Sequence, residues 1–258
     1  MRGGRIGFSA LLVGALLLTG LLAACDSEPS GREGAVRIAT FNTHLARGEP
    51  GKLIAELELG SAQLDAIVKV IAANDPDILV IQELDFDPEG LSVELFKAAL
   101  ARGGVAYGFS FTAPVNTGLA TGFDLDGDGK AFGPADAQGW GLFEGQFGMA
   151  VLSRYPIRKR AVRTFQKLRW LDMPDALMPQ DFYPRDAMPL LRLSSKSHWD
   201  VPVELVDGKI INLLVSHPTP PVFDGPEDRN GRRNHDEIAF WSAYLDGAEW
   251  IVDDGGTR

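Results

Sequence analysis

Apolar residues recur along the chain with a period typical of helices in three places. Residues 61–74 carry four apolar side chains at the i, i+3, i+4, i+7 spacing of a helix that buries one face. Asp75 and Pro76 follow directly, and a residue before proline disfavours helical backbone, so the helix is predicted to end there. The pattern predicts two more helices, at residues 91–102 and around residues 238–245.

Short apolar runs bounded by turn residues predict β-strands. A Gly-rich loop at residues 112–146 separates an early strand–helix–strand pattern from a later run of antiparallel-looking strands. Asp207-Gly208 is a hairpin turn signal between the last two strands. This order predicts an α/β (α+β) fold, a layered α/β sandwich with two mixed sheets flanked by helices. The predicted strands are residues 36–41, 77–82, 105–111, 147–153, 156–165, 187–193, 197–205 and 209–216.

The N-terminal segment has a different character from the rest of the chain. A basic start, an uncharged apolar run and small residues before a cysteine are typical of a secretory signal. The sequence LAAC, which ends at Cys25, also resembles the lipobox of bacterial lipoproteins, in which the cysteine is lipidated. We therefore expect a signal peptide at 1–24, a lipidated Cys25, a flexible tether at 25–35 and one domain at 36–258. The alternative is an uncleaved membrane anchor.

Either interpretation places the domain outside the cytoplasm. The expected location is the cell surface or the periplasm, with the protein attached to the membrane through its N-terminal lipid. Cys25 is the only cysteine, so the domain cannot form an internal disulfide.

Composition and charge limit the classes of function. The chain is 45% hydrophobic and 23% charged, which is ordinary for a globular protein. Its net charge is −10, and an acidic surface disfavours passive binding to nucleic acid or to anionic lipid. An enzyme of this composition that acts on a phosphate ester would need cations inside its site.

Polar side chains follow three of the predicted strands. These residues are Asn42, Glu83 and His217. Taken singly, each has a structural explanation, as a turn former, a surface carboxylate or a strand-exit residue. Together, an amide, a carboxylate and an imidazole at one sheet edge could bind a hard divalent cation and position a phosphate. His44 is close to Asn42, but strand alternation could turn it away from the same cleft.

Four segments in order resemble the endonuclease/exonuclease/phosphatase superfamily. They are TFNTHL, PDILVIQELD, GMAVLSRYPI and the strand that leads into SHP. Pancreatic deoxyribonuclease, the abasic-site endonucleases, bacterial sphingomyelinases and inositol-phosphate phosphatases belong to this superfamily. The resemblance covers most of residues 36–258 and implies metal-dependent hydrolysis of a phosphoester. Substrates of that class include nucleic acid, phospholipid head groups and small phosphate esters, and a monomer is expected.

The resemblance also implies roles for individual residues. Glu83 would be the principal metal ligand, and Asn42 would be a further metal ligand that orients the phosphate or the attacking water. His217 would contact the phosphate and assist the leaving group. Arg185 is a candidate for a further phosphate contact. Mg²⁺ is the implied cofactor, and Mn²⁺ and Ca²⁺ are alternatives.

Two motifs of the superfamily have no clear counterpart in the chain. Members carry a later Gly-Asp-x-Asn after a strand and an Asp-His pair near the C-terminus. Asp228-Arg229-Asn230 fits the letters without a preceding strand, and His235-Asp236 has the reverse order. We therefore expect an incomplete chain, inactive by itself, with the remaining catalytic residues beyond residue 258. The alternative is a catalytically inactive, lipid-anchored surface binding module of the same fold.

A second candidate site lies in the Gly-rich loop. Asp124, Asp126 and Asp128 match the first, third and fifth positions of a calcium-binding loop. The twelfth position is alanine where an EF-hand has glutamate, and no flanking helices are predicted, so the loop is not an EF-hand. Asp136 could supply a late ligand. A structural Ca²⁺ is expected here, and the alternative is a solvated turn.

Overall fold

A computed structural model describes residues 35–258, which form two β-sheets with helices on their outer faces. The predicted signal peptide and Cys25 lie outside the described residues, so those predictions stay predictions. Across residues 35–258, no helix is both long and apolar enough to cross a membrane. The helices are α1 (Lys52–Leu59), α2 (Ala62–Asn74), α3 (Leu91–Arg102) and α4 (Arg229–Leu245). The strands are β1 (Ile38–Leu45), β2 (Ile78–Leu84), β3 (Phe109–Phe111), β4 (Met149–Ser153), β5 (Arg163–Thr164), β6 (His198–Glu204) and β7 (Ile210–Ser216).

The first sheet is mixed and has the strand order β1-β2-β4-β3. Strands β1 and β2 are parallel, and the other neighbours in this sheet are antiparallel. A parallel pair needs a crossover connection, which α1 and α2 provide here. Ser61 caps α2, because its hydroxyl accepts a hydrogen bond from the backbone N–H of Leu64.

The second sheet has the order β5-β6-β7 and is antiparallel throughout its described strands. A tight turn at Asp207-Gly208 joins β6 to β7, which confirms the predicted hairpin. Gly208 has φ 79°, in the left-handed region that favours glycine. The backbone N–H of Leu205 closes the hairpin with a 2.8 Å hydrogen bond to the carbonyl of Lys209.

Strand β2 contributes side chains to two separate hydrophobic cores, because successive residues of a strand point to opposite faces. Leu79 and Ile81 pack against the helical layer formed by α1, α2 and α3. Ile78 and Val80 pack toward the second sheet, against a cluster that includes Trp199 of β6. The sandwich therefore consists of a helical layer, two facing sheets and a further helix.

That further helix is α4, which covers the outer side of the second sheet. The ring of His198, at the start of β6, lies 4.3 Å from the ring of Phe240 and 5.1 Å from that of Trp241. His198 is buried by these contacts. A third hydrophobic cluster joins α4 to the long connection between β5 and β6.

The predicted sandwich is confirmed, but several predicted elements were wrong in type or extent. Helix α1 was not predicted, because it is short and lies between two glycines. Residues 187–193 do not form a strand, and a 3₁₀ turn at Met188–Leu190 takes their place. Pro189 explains this difference, because it cannot donate a ladder hydrogen bond. Of residues 156–165, only Arg163–Thr164 form a strand, and Ile157 adds an isolated bridge to Val203 of β6.

Candidate functional site

Strands β1 and β2 lose their regular pairing where the predicted site residues lie. The pairing is regular up to Asn42 opposite Gln82, and the register then shifts before Leu45 pairs with Leu84. Asn42 is therefore inside β1, rather than beyond its end as the sequence predicted.

Two residues at this register shift have left-handed backbone. His44 has φ 51° and Glu83 has φ 59°. Such a conformation costs a non-glycine residue about 1–3 kcal/mol and persists only where surrounding contacts impose it. Because the backbone is irregular here, the side chains of His44 and Glu83 do not have to alternate between the two faces of the sheet. Strained backbone and candidate chemistry thus coincide at one point of the sheet.

The carboxylate of Glu83 is the centre of a cluster of four side chains. Asn42 donates a hydrogen bond of 2.9 Å from Nδ2 to Glu83 Oε1. His44 Nδ1 lies 3.0 Å from Glu83 Oε2. His217, which follows β7 in the other sheet, has Nε2 at 3.5 Å from Glu83 Oε1. The structure therefore brings the three predicted residues together and adds His44 to them.

The amide of Asn42 has a fixed orientation in this cluster. Its Oδ1 accepts a hydrogen bond of 3.1 Å from the backbone N–H of His44. Because the oxygen faces the backbone, the amide presents its donor to Glu83. Asn42 here holds the carboxylate in place, and its expected role as a metal ligand stays a prediction.

The cluster keeps Glu83 ionised. Its interaction with His217 lowers the pKa of Glu83 most, while burial opposes that effect. Hydrogen bonds from Asn42 and His44 lower it further, and the pKa is about 2. The side chain of Glu83 is 18% exposed, so this anionic carboxylate remains accessible at the surface.

Arg185, predicted as a phosphate contact, is exposed, and in the described structure no hydrogen bond or ion pair joins it to the Glu83 cluster. The strand that would have positioned it is not formed. A different cation, Lys196, lies near the cluster and is only 6% exposed. Strand β6 begins at His198, which pairs with Ser216 at the end of β7. Lys196 and His217 therefore both lie just outside this pairing.

Lys196 is a buried cation with few partners. Its Nζ donates a hydrogen bond of 3.3 Å to Ser195 Oγ, and the described residues give it no ion pair within 4.0 Å. Burial lowers the pKa of Lys196 to about 8, although the negative charges of Glu237 and Glu83 act to raise it. Sequence reasoning missed this residue. The only signal was a lysine among small residues directly before a strand.

The aspartates of the Gly-rich loop converge as predicted, with one exception. Asp124, Asp126 and Asp128 each bring a carboxylate oxygen within 4.8 Å of the others, so the three could hold a metal ion. Asp136 is outside this group, and its role as a late ligand stays a prediction. Its carboxylate is buried and accepts a hydrogen bond of 2.8 Å from the backbone N–H of Leu125, which makes it part of the loop's framework.

Comparison with known proteins assigns the chain to a family. The profile of the Endonuclease/Exonuclease/phosphatase family matches residues 39–252, a span that contains the whole Glu83 cluster. This chain belongs to the Endonuclease/Exonuclease/phosphatase family. Members of the family are phosphoester hydrolases in general, and they generally use a divalent metal. Comparison with curated proteins found no match.

Two solved structures of the family resemble this member at low sequence identity. One is the endonuclease/exonuclease/phosphatase from Beutenbergia cavernae DSM 12333, with 18% identity and a TM-score of 0.45, over 83% of this chain and 44% of that chain. The other is a family protein from Leptotrichia buccalis C-1013-b, with 16% identity and a TM-score of 0.41, over 80% of this chain and 63% of that chain. The chain thus spans less than two thirds of either protein's length.

The pKa of Glu83 predicts how stability depends on pH. A carboxyl group whose pKa is 4.5 unfolded and about 2 folded stabilises the fold fully above pH 4.5 and loses that contribution as the pH falls through about 2. Glu83→Gln should therefore show a stability deficit relative to wild type that shrinks over this range in urea unfolding. Glu89→Gln, at an exposed position, is the control and should show no such trend. A constant deficit for Glu83→Gln would contradict the described cluster.

Proposed function

We propose that this protein is an exported, metal-dependent phosphoesterase whose site is centred on Glu83. The observation that carries the proposal is an ionised, accessible carboxylate surrounded by Asn42, His44 and His217 at a strained end of the sheet. Membership of a family of phosphoester hydrolases supports the reaction class. The signal-like residues before position 25 support export.

The donor chemistry at Glu83 fits a hard divalent cation. Mg²⁺ is commonly held by one or two carboxylates, with water and phosphate oxygens as its other ligands. Glu83 supplies such a carboxylate, and His44, whose side chain is 79% exposed, has room to move away from Oε2. When bound, the cation would neutralise charge on the phosphate oxygens. Mn²⁺ and Ca²⁺ take the same oxygen ligands and remain alternatives.

Two side chains that can donate hydrogen bonds complement this carboxylate. His217 reaches the cluster from the second sheet, and its partly exposed imidazole can donate a hydrogen bond to a phosphate oxygen. Lys196 offers an ammonium group with unused donors at a buried position, where a charge is costly unless an anion compensates it. We assign both residues to phosphate binding.

The second candidate function is a binding module that retains the fold without catalysis. In the described residues, no carboxylate other than Glu83 forms an ion pair or hydrogen bond with His44 or His217. The Asp228-Arg229-Asn230 sequence is used elsewhere, since Asn230 Nδ2 donates to the carbonyl of Val222 at 2.7 Å. A lone carboxylate favours either a module of this kind or a site completed by further residues.

Hydrolysis by the full-length gene product tests the metal-ligand role. We expect cleavage of a phosphodiester with Mg²⁺, none with EDTA, and a loss of about 100- to 1,000-fold in Glu83→Gln. Gln82→Ala is the matched control, because the side chain of Gln82 hydrogen-bonds to Thr40 on the neighbouring strand and to none of the four side chains of the cluster. DNA, sphingomyelin and a small phosphodiester serve as substrates. Activity that survives Glu83→Gln would refute the role, and binding without hydrolysis would favour the module.

Lys196→Met tests the second phosphate contact. A lost hydrogen bond to a charged group should raise KM for the phosphodiester by about 10- to 100-fold while kcat changes less. Lys209→Met, at the exposed hairpin turn, should leave both constants unchanged. If Lys196→Met folds and keeps the wild-type KM, the ammonium group does not contact the substrate.

We also propose a structural Ca²⁺ at Asp124, Asp126 and Asp128, which is supported by the convergence of their carboxylates. Three like charges at this distance repel one another unless a cation lies between them. EDTA should therefore lower the Tm of wild type, and Ca²⁺ should restore it. Asp126→Ala should start lower and not respond. Asp207→Ala is the control, and a wild-type Tm unaffected by EDTA would leave the solvated turn as the explanation.

A further inference from the structure

The carboxylate of Glu237 is fully buried in a place where an apolar side chain would be less costly. Glu237 lies on α4 and is 0% exposed. Among the described residues it forms no ion pair within 4.0 Å. Burying a carboxylate costs free energy unless hydrogen bonds compensate it. The hydrogen bonds that the Glu237 carboxylate accepts must therefore compensate the cost of its burial.

Two separate segments of the site are bound to this carboxylate. Oε2 accepts a hydrogen bond of 2.5 Å from the backbone N–H of Thr219. Oε1 accepts a hydrogen bond of 2.7 Å from the backbone N–H of Ser195, whose hydroxyl lies 3.3 Å away. Thr219 is two residues after His217, and Ser195 directly precedes Lys196. One side chain thus connects the backbones that carry both proposed phosphate contacts.

A second residue of the same helix, Asn234, also binds the backbone of Thr219. Asn234 Nδ2 donates a hydrogen bond of 2.7 Å to the carbonyl of Thr219. Side chains three positions apart on a helix share a face, so Asn234 and Glu237 can reach the same residue. The N–H and the C=O of Thr219 are therefore both fixed by α4.

The chain between Thr219 and His217 transmits this constraint, because few of its torsions are free. His217 follows the last pair of the β6–β7 ladder, so the sheet does not hold it. Pro218 and Pro220 flank Thr219, and each proline fixes its own φ and restricts the residue before it to extended backbone. Fixing Thr219 therefore limits the backbone positions open to His217.

We propose that Glu237, assisted by Asn234, is a positioning residue that orients His217 and Lys196 toward the phosphate. It touches neither substrate nor metal and acts through the backbone of Thr219 and Ser195. The activity readout of this inference rests on the proposed function, and its spectroscopic readout does not.

The chain offers a matched control in the adjacent residue. Asp236 is also a buried carboxylate of α4, at 1% exposure. It accepts hydrogen bonds of 2.7 Å from Trp170 Nε1 and from the backbone N–H of Leu177, away from the His217 segment. Glu237→Gln and Asp236→Asn each remove one charge and one acceptor from the same helix, so general damage to folding should be similar.

In the full-length protein with Mg²⁺, Glu237→Gln should lower kcat by about 10- to 100-fold, because misplaced reacting groups are costly. Combining Glu237→Gln with His217→Ala should be less than additive, because the part of the effect that acts through His217 is already lost and only the part through Lys196 remains. Asp236→Asn and His217→Ala should be additive. Asn234→Ala should reproduce the kcat loss in weaker form if Glu237→Gln does not fold. Additive behaviour of Glu237→Gln with His217→Ala would overturn the inference.

The spectroscopic readout needs no activity. The imidazole NMR signals of His217 should shift, and backbone hydrogen exchange around Thr219 should accelerate, in Glu237→Gln and Asn234→Ala but not in Asp236→Asn. Unchanged His217 signals in both variants would overturn the inference. If the wild type has no hydrolytic activity but the two variants still show these shifts, the proposed function is refuted and the positioning role stands.

Discussion

The contact between the carboxylate of Glu83 and three side chains is the interaction on which the candidate site depends. A partly buried carboxylate is tolerated only when donors surround it, and Asn42, His44 and His217 surround this one. The left-handed backbone at His44 and Glu83 is what lets two neighbouring strands aim their side chains at one point. If β1 and β2 kept their register, strand alternation would govern both side chains and the cluster would lose its geometry.

That contact also joins the two sheets. Glu83 belongs to the first sheet, and His217 follows the last strand of the second. Their separation therefore depends on how closely the sheets pack, which the core between them sets through residues such as Val80 and Trp199. Close packing makes such a distance insensitive to small surface changes. Helix α4 adds a local constraint at the point where the ladder of the second sheet has ended.

The sequence predicted the elements whose signals are local. Periodicity located α2 and α3, and a turn signal located the β6–β7 hairpin. Asn42, Glu83 and His217 could be predicted because each ends an apolar run, and strand ends meet at a sheet edge. The rest depends on contacts that no local pattern encodes. Lys196 becomes a site residue only because β6 pairs with β7, and the polar first half of α4 is helical because its side chains bind distant loops.

The charge distribution narrows the substrate of the proposed enzyme. The chain carries −10 overall, whereas its proposed phosphate contacts are two side chains near a single carboxylate. Exposed charges beyond about 8–10 Å are largely screened at physiological ionic strength, so one phosphoester group would experience mainly the charges within the proposed site. A DNA duplex carries a charge about every 1.7 Å and would be exposed to the acidic surface along its whole length. The acidic net charge of the chain therefore disfavours passive binding to duplex nucleic acid.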